Sequence, residues 1–179
     1  MRCFIGIELP KNIKDNLYEI QQKLVNEHAK INFVHKKNIH LTLKFLGELN
    51  EEQLKLTRMA LNNVKHNKFS LSLSKFGWFS NKSQIRVLFV DVSPIKEVME
   101  LQDKIEDSLG SLFEKDNRFN AHLTIGRDKS IKNYDKFMDI LKEIEVKWDS
   151  FSVDSFSLIK SVLSEDGPKY TTLEKYSLV

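Results

Sequence analysis

The stretch His40-Leu41-Thr42-Leu43-Lys44-Phe45-Leu46-Gly47-Glu48 decides how this chain is read, because its first four residues return as His122-Leu123-Thr124-Ile125 about half a chain later. In an extended strand successive side chains point to opposite faces. The His and Thr of each copy therefore share one face, and the two aliphatic residues share the other. Each copy offers an imidazole beside a hydroxyl, carried on a strand anchored by a buried apolar pair. Two such strands facing a common cleft would supply two proton-transfer groups and two hydroxyl donors. That set suits an anionic, oxygen-rich substrate whose reaction needs both a proton acceptor and a proton donor, and phosphate ester chemistry fits the description.

Working outward, Arg2 to Glu8 reads as a buried strand, and Pro10 opens a helix carried by Leu17, Ile20, Gln21, Leu24 and Val25 at helical spacing. A short strand near Ile31 to Val34 precedes the first motif strand, Ile39 to Leu46. Asn50, followed by Glu51, Glu52 and Gln53, caps a helix running to about Val64. Phe69 to Ser74 alternates strictly and pairs with Ile85 to Val92 across a turn at Ser80-Asn81-Lys82-Ser83. Ser93-Pro94 is read as cap and first helical residue of a helix ending at Leu109 before Gly110. The second motif strand is expected over Phe119 to Arg127 and a further helix over Tyr134 to Ile144. Strands around Val153 to Leu163 and Tyr170 to Leu178 follow, joined by the turn Ser164-Glu165-Asp166-Gly167-Pro168. Hairpin-linked strands interrupted by helices imply an α+β protein with antiparallel sheets.

Composition sets bounds on this reading. At 179 residues the chain is expected to form one domain, residues 1–179, with room for two small lobes. Its 28 basic and 25 acidic residues leave a net charge of +3, which mildly favours an anionic ligand. The single cysteine, Cys3, sits in an apolar run and reads as a core residue of an intracellular protein. Glu8 and Pro10 interrupt the first apolar run before a secretory segment could form, and no apolar stretch approaches the length of a bilayer span. A soluble, cytoplasmic, monomeric protein without membrane association is expected.

Of the five histidines, His28 and His66 fall at expected helix ends, and His35 lies in the basic loop Val34-His35-Lys36-Lys37-Asn38, so all three read as solvated. His40 and His122 stand apart because each has a Thr two residues on. Zinc takes three or four Cys, His, Asp or Glu ligands, and neither motif holds a second one, so no metal site is expected. A serine nucleophile elbow and a glycine-rich phosphate loop are missing from the sequence as well.

The duplicated H-x-T-x, within the longer strings His40 to Glu48 and His122-Leu123-Thr124-Ile125-Gly126-Arg127, resembles the two-histidine phosphoesterase superfamily. Within it the chain is similar to the RNA 2′,3′-cyclic phosphodiesterases, also called 2′-5′ RNA ligases. The opening Met1 to Pro10, the central Arg86-Val87-Leu88-Phe89 and the tail Ser161 to Tyr170 carry the same resemblance. Ala121 stands where a proline is common in that family, and Phe89 where a tryptophan is frequent. The resemblance implies a bilobal α+β fold with pseudo-twofold symmetry, in which two antiparallel sheets line a central cleft with helices on the outer faces. It implies hydrolysis of an RNA terminal 2′,3′-cyclic phosphate to a 2′-phosphate, with possible reversal as a 2′-5′ ligation, needing neither metal nor nucleotide cofactor. By analogy His40 is the general acid and His122 the general base, and Thr42 and Thr124 donate to phosphate oxygens.

Four further residues are candidates for substrate contacts. Arg127 would face away from His122 under strict alternation, but a bend at Gly126 could turn it toward a phosphate. Lys44, even with His40 and Thr42, is placed on the cleft face as a phosphate or RNA-backbone contact. Phe119 and Tyr170 are candidates for base stacking. Two alternatives stay open: a non-catalytic RNA-end binding module, and a phosphodiesterase for 2′-5′ linkages or small cyclic phosphates.

Overall fold

In the computed structural model, which describes residues 1–81, 84–165 and 167–179, nine strands form two antiparallel sheets. The first sheet has the order β3 (His40–Glu48), β1 (Arg2–Glu8), β8 (Ser155–Ser164), β9 (Gly167–Ser177). The second has the order β2 (Ala29–Phe33), β6 (His122–Ile131), β5 (Gln84–Ser93), β4 (Phe69–Asn81), β7 (Ser150–Val153). One motif strand therefore lies in each sheet, and β3 and β6 touch although they share no ladder.

Helices α1 (Lys11–Lys23), α2 (Glu51–Leu61), α3 (Lys96–Leu109) and α4 (Tyr134–Lys142) connect the strands. Ile13, Leu17 and Ile20 of α1, Val98, Leu101 and Ile105 of α3, and Phe137 and Leu141 of α4 lock into one apolar core. Leu41 and Leu43 of β3 and Leu123 and Ile125 of β6 belong to it too. The aliphatic pair of each motif thus anchors its strand from the helix side, as the alternation requires. Asn50 caps α2 with a reciprocal capping box to Gln53, as its sequence promises. Cys3 is buried in the core, and burial pushes its thiol up, which keeps it unreactive.

Several expectations need correction. α1 stops at Lys23, and Val25 beyond it is exposed. α3 begins at Lys96 with Ile95 as its cap; Ser93 closes strand β5, and the Ser93-Pro94 bond is cis. The second motif strand runs over His122–Ile131, and Phe119 precedes it. The segment read as one strand after Val153 divides at Asp154, with β7 pairing β4 in one sheet and β8 pairing β1 in the other. His66 is buried, with its Nδ1 donating to the Asn67 carbonyl at 2.7 Å, because the chain after α2 folds back against β4 and the C-terminus. The turns expected at residues 80–83 and 164–168 fall partly outside the described residues.

The two motif strands share an irregularity. Along β1 and β3, Ile5 faces Lys44 and Gly6 faces Thr42, so Leu43 is an extra residue. Along β5 and β6, Leu88 faces Gly126 and Phe89 faces Thr124, so Ile125 is an extra residue. Each strand thus carries a bulge three residues past its histidine, and a bulge resets which face the following side chains occupy.

Candidate active site

The rims of β3 and β6 bring the two imidazoles to the face opposite the core. His40 Nδ1 lies 2.6 Å from the Asn38 carbonyl, and His122 Nδ1 lies 2.7 Å from the Asn120 carbonyl. A carbonyl only accepts, so both rings carry their proton on Nδ1 when neutral and present Nε2 as a lone pair. The Thr42 hydroxyl donates to His40 Nε2 at 2.8 Å. Thr124 occupies the equivalent position beside His122.

Aromatic rings hold the imidazoles in place. Phe4 stacks on His40 at 4.6 Å, and Tyr170 meets the same ring edge-on at 5.3 Å. His122 is met edge-on by Phe79 at 5.1 Å and by Phe89 at 5.4 Å, while those two phenyl rings stack on each other at 4.3 Å. Gly77 permits this arrangement, since a Cβ there would lie 2.8 Å from the Phe89 ring. Across each histidine on the neighbouring strand stands a carboxylate, Glu8 opposite His40 and Asp91 opposite His122.

The bulges decide the fate of the basic candidates. Past Ile125 the alternation resets, so Arg127 takes the exposed face of β6, and its charge reaches the Tyr170 hydroxyl of the other sheet. Burial pushes the Tyr170 hydroxyl up, while Arg127 and Arg2 pull it back. The same reset removes Lys44 from the cleft. Lys44 is buried and its ammonium lies 2.8 and 3.0 Å from the Glu106 carboxylate, so it is not a substrate contact. Phe45 takes the exposed position instead, with 71% of its surface accessible. Phe119 packs against the core and makes no ring contact with either histidine among the described residues, so it offers no base platform beside them; Tyr170 lies in the cleft.

Two halves with the same strand, bulge and imidazole geometry amount to a duplicated unit, and known families reflect that duplication. A model described as LigT like Phosphoesterase matches the chain twice, over residues 7–89 and 90–170, one motif in each. The chain belongs to the LigT-like phosphoesterase family. A relative from Methanocaldococcus jannaschii, named RNA 2′,3′-cyclic phosphodiesterase, is 34% identical over 98% of this chain and 100% of its own length. One of the same name from Methanothermobacter thermautotrophicus is 30% identical, over 99% of each chain. Among solved structures, TT0787 of Thermus thermophilus superposes with a TM-score of 0.80 at 28% identity, covering 99% of this chain and 97% of that one. Escherichia coli LigT in its apo form shares the fold with a TM-score of 0.79 at 23% identity, over 99% and 96% of the two chains.

Within this LigT-like site some residues escape a reading based on the four-residue motif. Asn38 and Asn120 supply the carbonyls that set both tautomers, and a longer repeat reveals them, since Asn stands two positions before each histidine. Asn38 also donates its side-chain amide to the Pro168 carbonyl at 2.6 Å, tying the first motif to β9. Phe4, Phe79 and Phe89 carry no such signal, because aromatic residues in strands are ordinarily core. As for metals, one group of side chains among the described residues could approach an ion: His66 with Glu97 and Glu100, ligand atoms within 4.8 Å of one another. None of the three lies on a motif strand, and His66 Nε2 stands 3.9 and 4.0 Å from the two carboxylates, an ion-pair spacing.

The setting of His40 has a measurable consequence. Burial is the largest influence on its imidazole and holds it below the ordinary value of 6.5, a shift the Asn38 carbonyl opposes and Lys14 reinforces. The unfolded chain therefore takes up a proton near pH 6.5 that the folded chain refuses. The stabilisation is complete above pH 6.5 and is lost as the pH falls from there toward the folded value. Thermal melts at pH 7 and pH 5 are expected to show the native protein losing a few degrees more than His40→Asn; equal losses would contradict this setting.

Proposed function

We propose that the protein is an RNA 2′,3′-cyclic phosphodiesterase that opens a terminal cyclic phosphate to a 2′-phosphomonoester by paired imidazole catalysis. The observation carrying this reading is the matched setting of His40 and His122, each with Nδ1 held by a carbonyl two residues back, which leaves Nε2 as the ring's accepting nitrogen. One imidazole accepts the proton of the attacking water as the oxygen–phosphorus bond forms. The other gives a proton to the ribose O3′ as its bond to phosphorus breaks.

His122 is the base in this scheme and His40 the acid. Burial keeps His40 neutral in the free protein, and the negative charge of a bound phosphate favours the return of its proton. Thr42, Thr124 and Arg127 stabilise the charge that gathers on the non-bridging oxygens. Phosphorus then needs no metal ligand, and the reverse direction, from a 5′-hydroxyl and a cyclic phosphate to a 2′-5′ linkage, uses the same two groups.

Purified protein incubated in EDTA with an RNA ending in a 2′,3′-cyclic phosphate is expected to yield a terminal 2′-phosphate, identified by its resistance to 3′-phosphatase treatment and by mass. A 3′-phosphate product would reverse the leaving oxygen. Binding of the RNA end without turnover would replace catalysis by an end-binding role.

A further inference from the structure

The buried polar groups behind the motif strands have no part in the chemistry above, yet they occupy equivalent places in the two halves. Lys44 and Glu106 are 4% and 2% exposed. The three donors of the ammonium are matched by Glu106 Oε1 at 3.0 Å, Oε2 at 2.8 Å and the Glu114 carbonyl at 2.8 Å. Glu106 Oε1 also accepts from Gln102 Nε2 at 2.8 Å, which completes a closed network. In the other half Gln21, 2% exposed, donates from Nε2 to the Ile125 and Val34 carbonyls, both at 2.8 Å.

The connectivity crosses over. α1 leaves β1, the ladder partner of β3, and its Gln21 grips the bulge of β6 in the opposite sheet. α3 leaves β5, the ladder partner of β6, and its Glu106 grips the bulge of β3 in the opposite sheet. Gln21 and Glu106 are each the eleventh residue of their helix. A buried ion pair contributes little net stability against an apolar replacement of similar volume, because desolvation offsets its attraction. What it does supply is direction, since a charged network is satisfied in one geometry only.

We infer that Lys44 with Glu106, and Gln21 with the Ile125 carbonyl, are two crossed latches that hold the bulges of β3 and β6 and so set the position of each histidine relative to the other sheet. Lys44, Glu106 and Gln21 are positioning residues that touch no substrate. The bulges are what bring Arg127 to the open face, so loosening them misplaces both the imidazoles and the guanidinium. Misplacement by about 1 Å is enough to cost a reaction roughly 10²-fold.

This inference rests on the phosphodiesterase reading for its kinetic readout, and nuclear magnetic resonance of the two imidazoles supplies one that does not. Lys44→Met alone strands a buried carboxylate and is expected to lower the melting temperature on the order of 10 °C. The double variant K44M/E106L removes both charges and is expected to melt near the native temperature. Its kcat on a nucleoside 2′,3′-cyclic phosphate should fall about 10–100-fold, with the imidazole resonances of both His40 and His122 displaced. A folded double variant with native kcat and unmoved imidazole resonances would reduce the pair to a structural role and overturn the inference. If the native protein itself fails to turn over the cyclic phosphate, the functional reading falls while the resonances still judge the latches. Should K44M/E106L not fold, Gln21→Leu, which strands no charge, is measured in the same way against the same two outcomes.

Discussion

Replacing His122 or His40 with alanine is expected to lower kcat/KM on a cyclic-phosphate substrate by about 10²–10⁴-fold, the range a positioned acid or base supplies. The geometry explains why no neighbour substitutes. Around His122 stand the phenyl rings of Phe79 and Phe89, and around His40 the rings of Phe4 and Tyr170, so water entering the vacated space finds no alternative base at the same point. Asp91 stands opposite His122 and Glu8 opposite His40, each on the neighbouring strand rather than at the position of the imidazole, and Glu8 accepts a hydrogen bond from Thr172 at 2.9 Å. In the proposed scheme acid and base act in one step, so the double variant should lose little more than the worse single one. Steady-state rates on the three variants, with melting curves to show that each is folded, check this. A loss below tenfold in either single variant would remove that histidine from proton transfer.

Arg127→Ala should cost about 10²–10³-fold, expressed mainly in kcat, because the proposed scheme sets its guanidinium against the charge that accumulates as the phosphorus is attacked. Arg127→Lys is expected to recover only part of that loss, since an ammonium cannot reproduce the planar two-point contact with phosphate oxygens. The position is selective in a way that β3 is not. The fifth residue after the histidine is Arg127 in one half and the exposed Phe45 in the other, so the duplicated scaffold presents a cation on one wall and an aromatic face on the opposite one. Rates for Arg127→Ala and Arg127→Lys, beside inorganic phosphate binding to each, separate a charge effect from a loss of fit. Unchanged kcat in Arg127→Ala would move this residue out of the site.

Much of the architecture follows from local rules that act over a few residues. Asn50 and Gln53 announce α2, Gly110 the end of α3, the apolar run of β1 a strand buried on both faces, and the alternation from His40 to Leu43 the core face of β3. Alternation fails where a bulge intervenes. The parity that puts Lys44 with His40 and Arg127 away from His122 is wrong for both residues, and for one reason: an extra residue at Leu43 and at Ile125. Strict alternation between Phe69 and Ser74 likewise misses that β4 continues to Asn81, past an irregularity between Leu73 and Phe76.

The amino-acid sequence by itself determined the repeated imidazole–hydroxyl pair, its placement on two strands, and the apolar residues that anchor them, because side-chain periodicity and pairing of residue types are properties of a single strand. Only the tertiary structure decided that Lys44 is spent on Glu106, that Arg127 takes the exposed face of β6, that Phe4 and Phe89 pack against the imidazoles, and that the carbonyls of Asn38 and Asn120 choose the tautomer. Each of these depends on ladder register or on contact between segments distant in the chain, and register is settled by the partner strand and the helix behind it, which no local pattern contains.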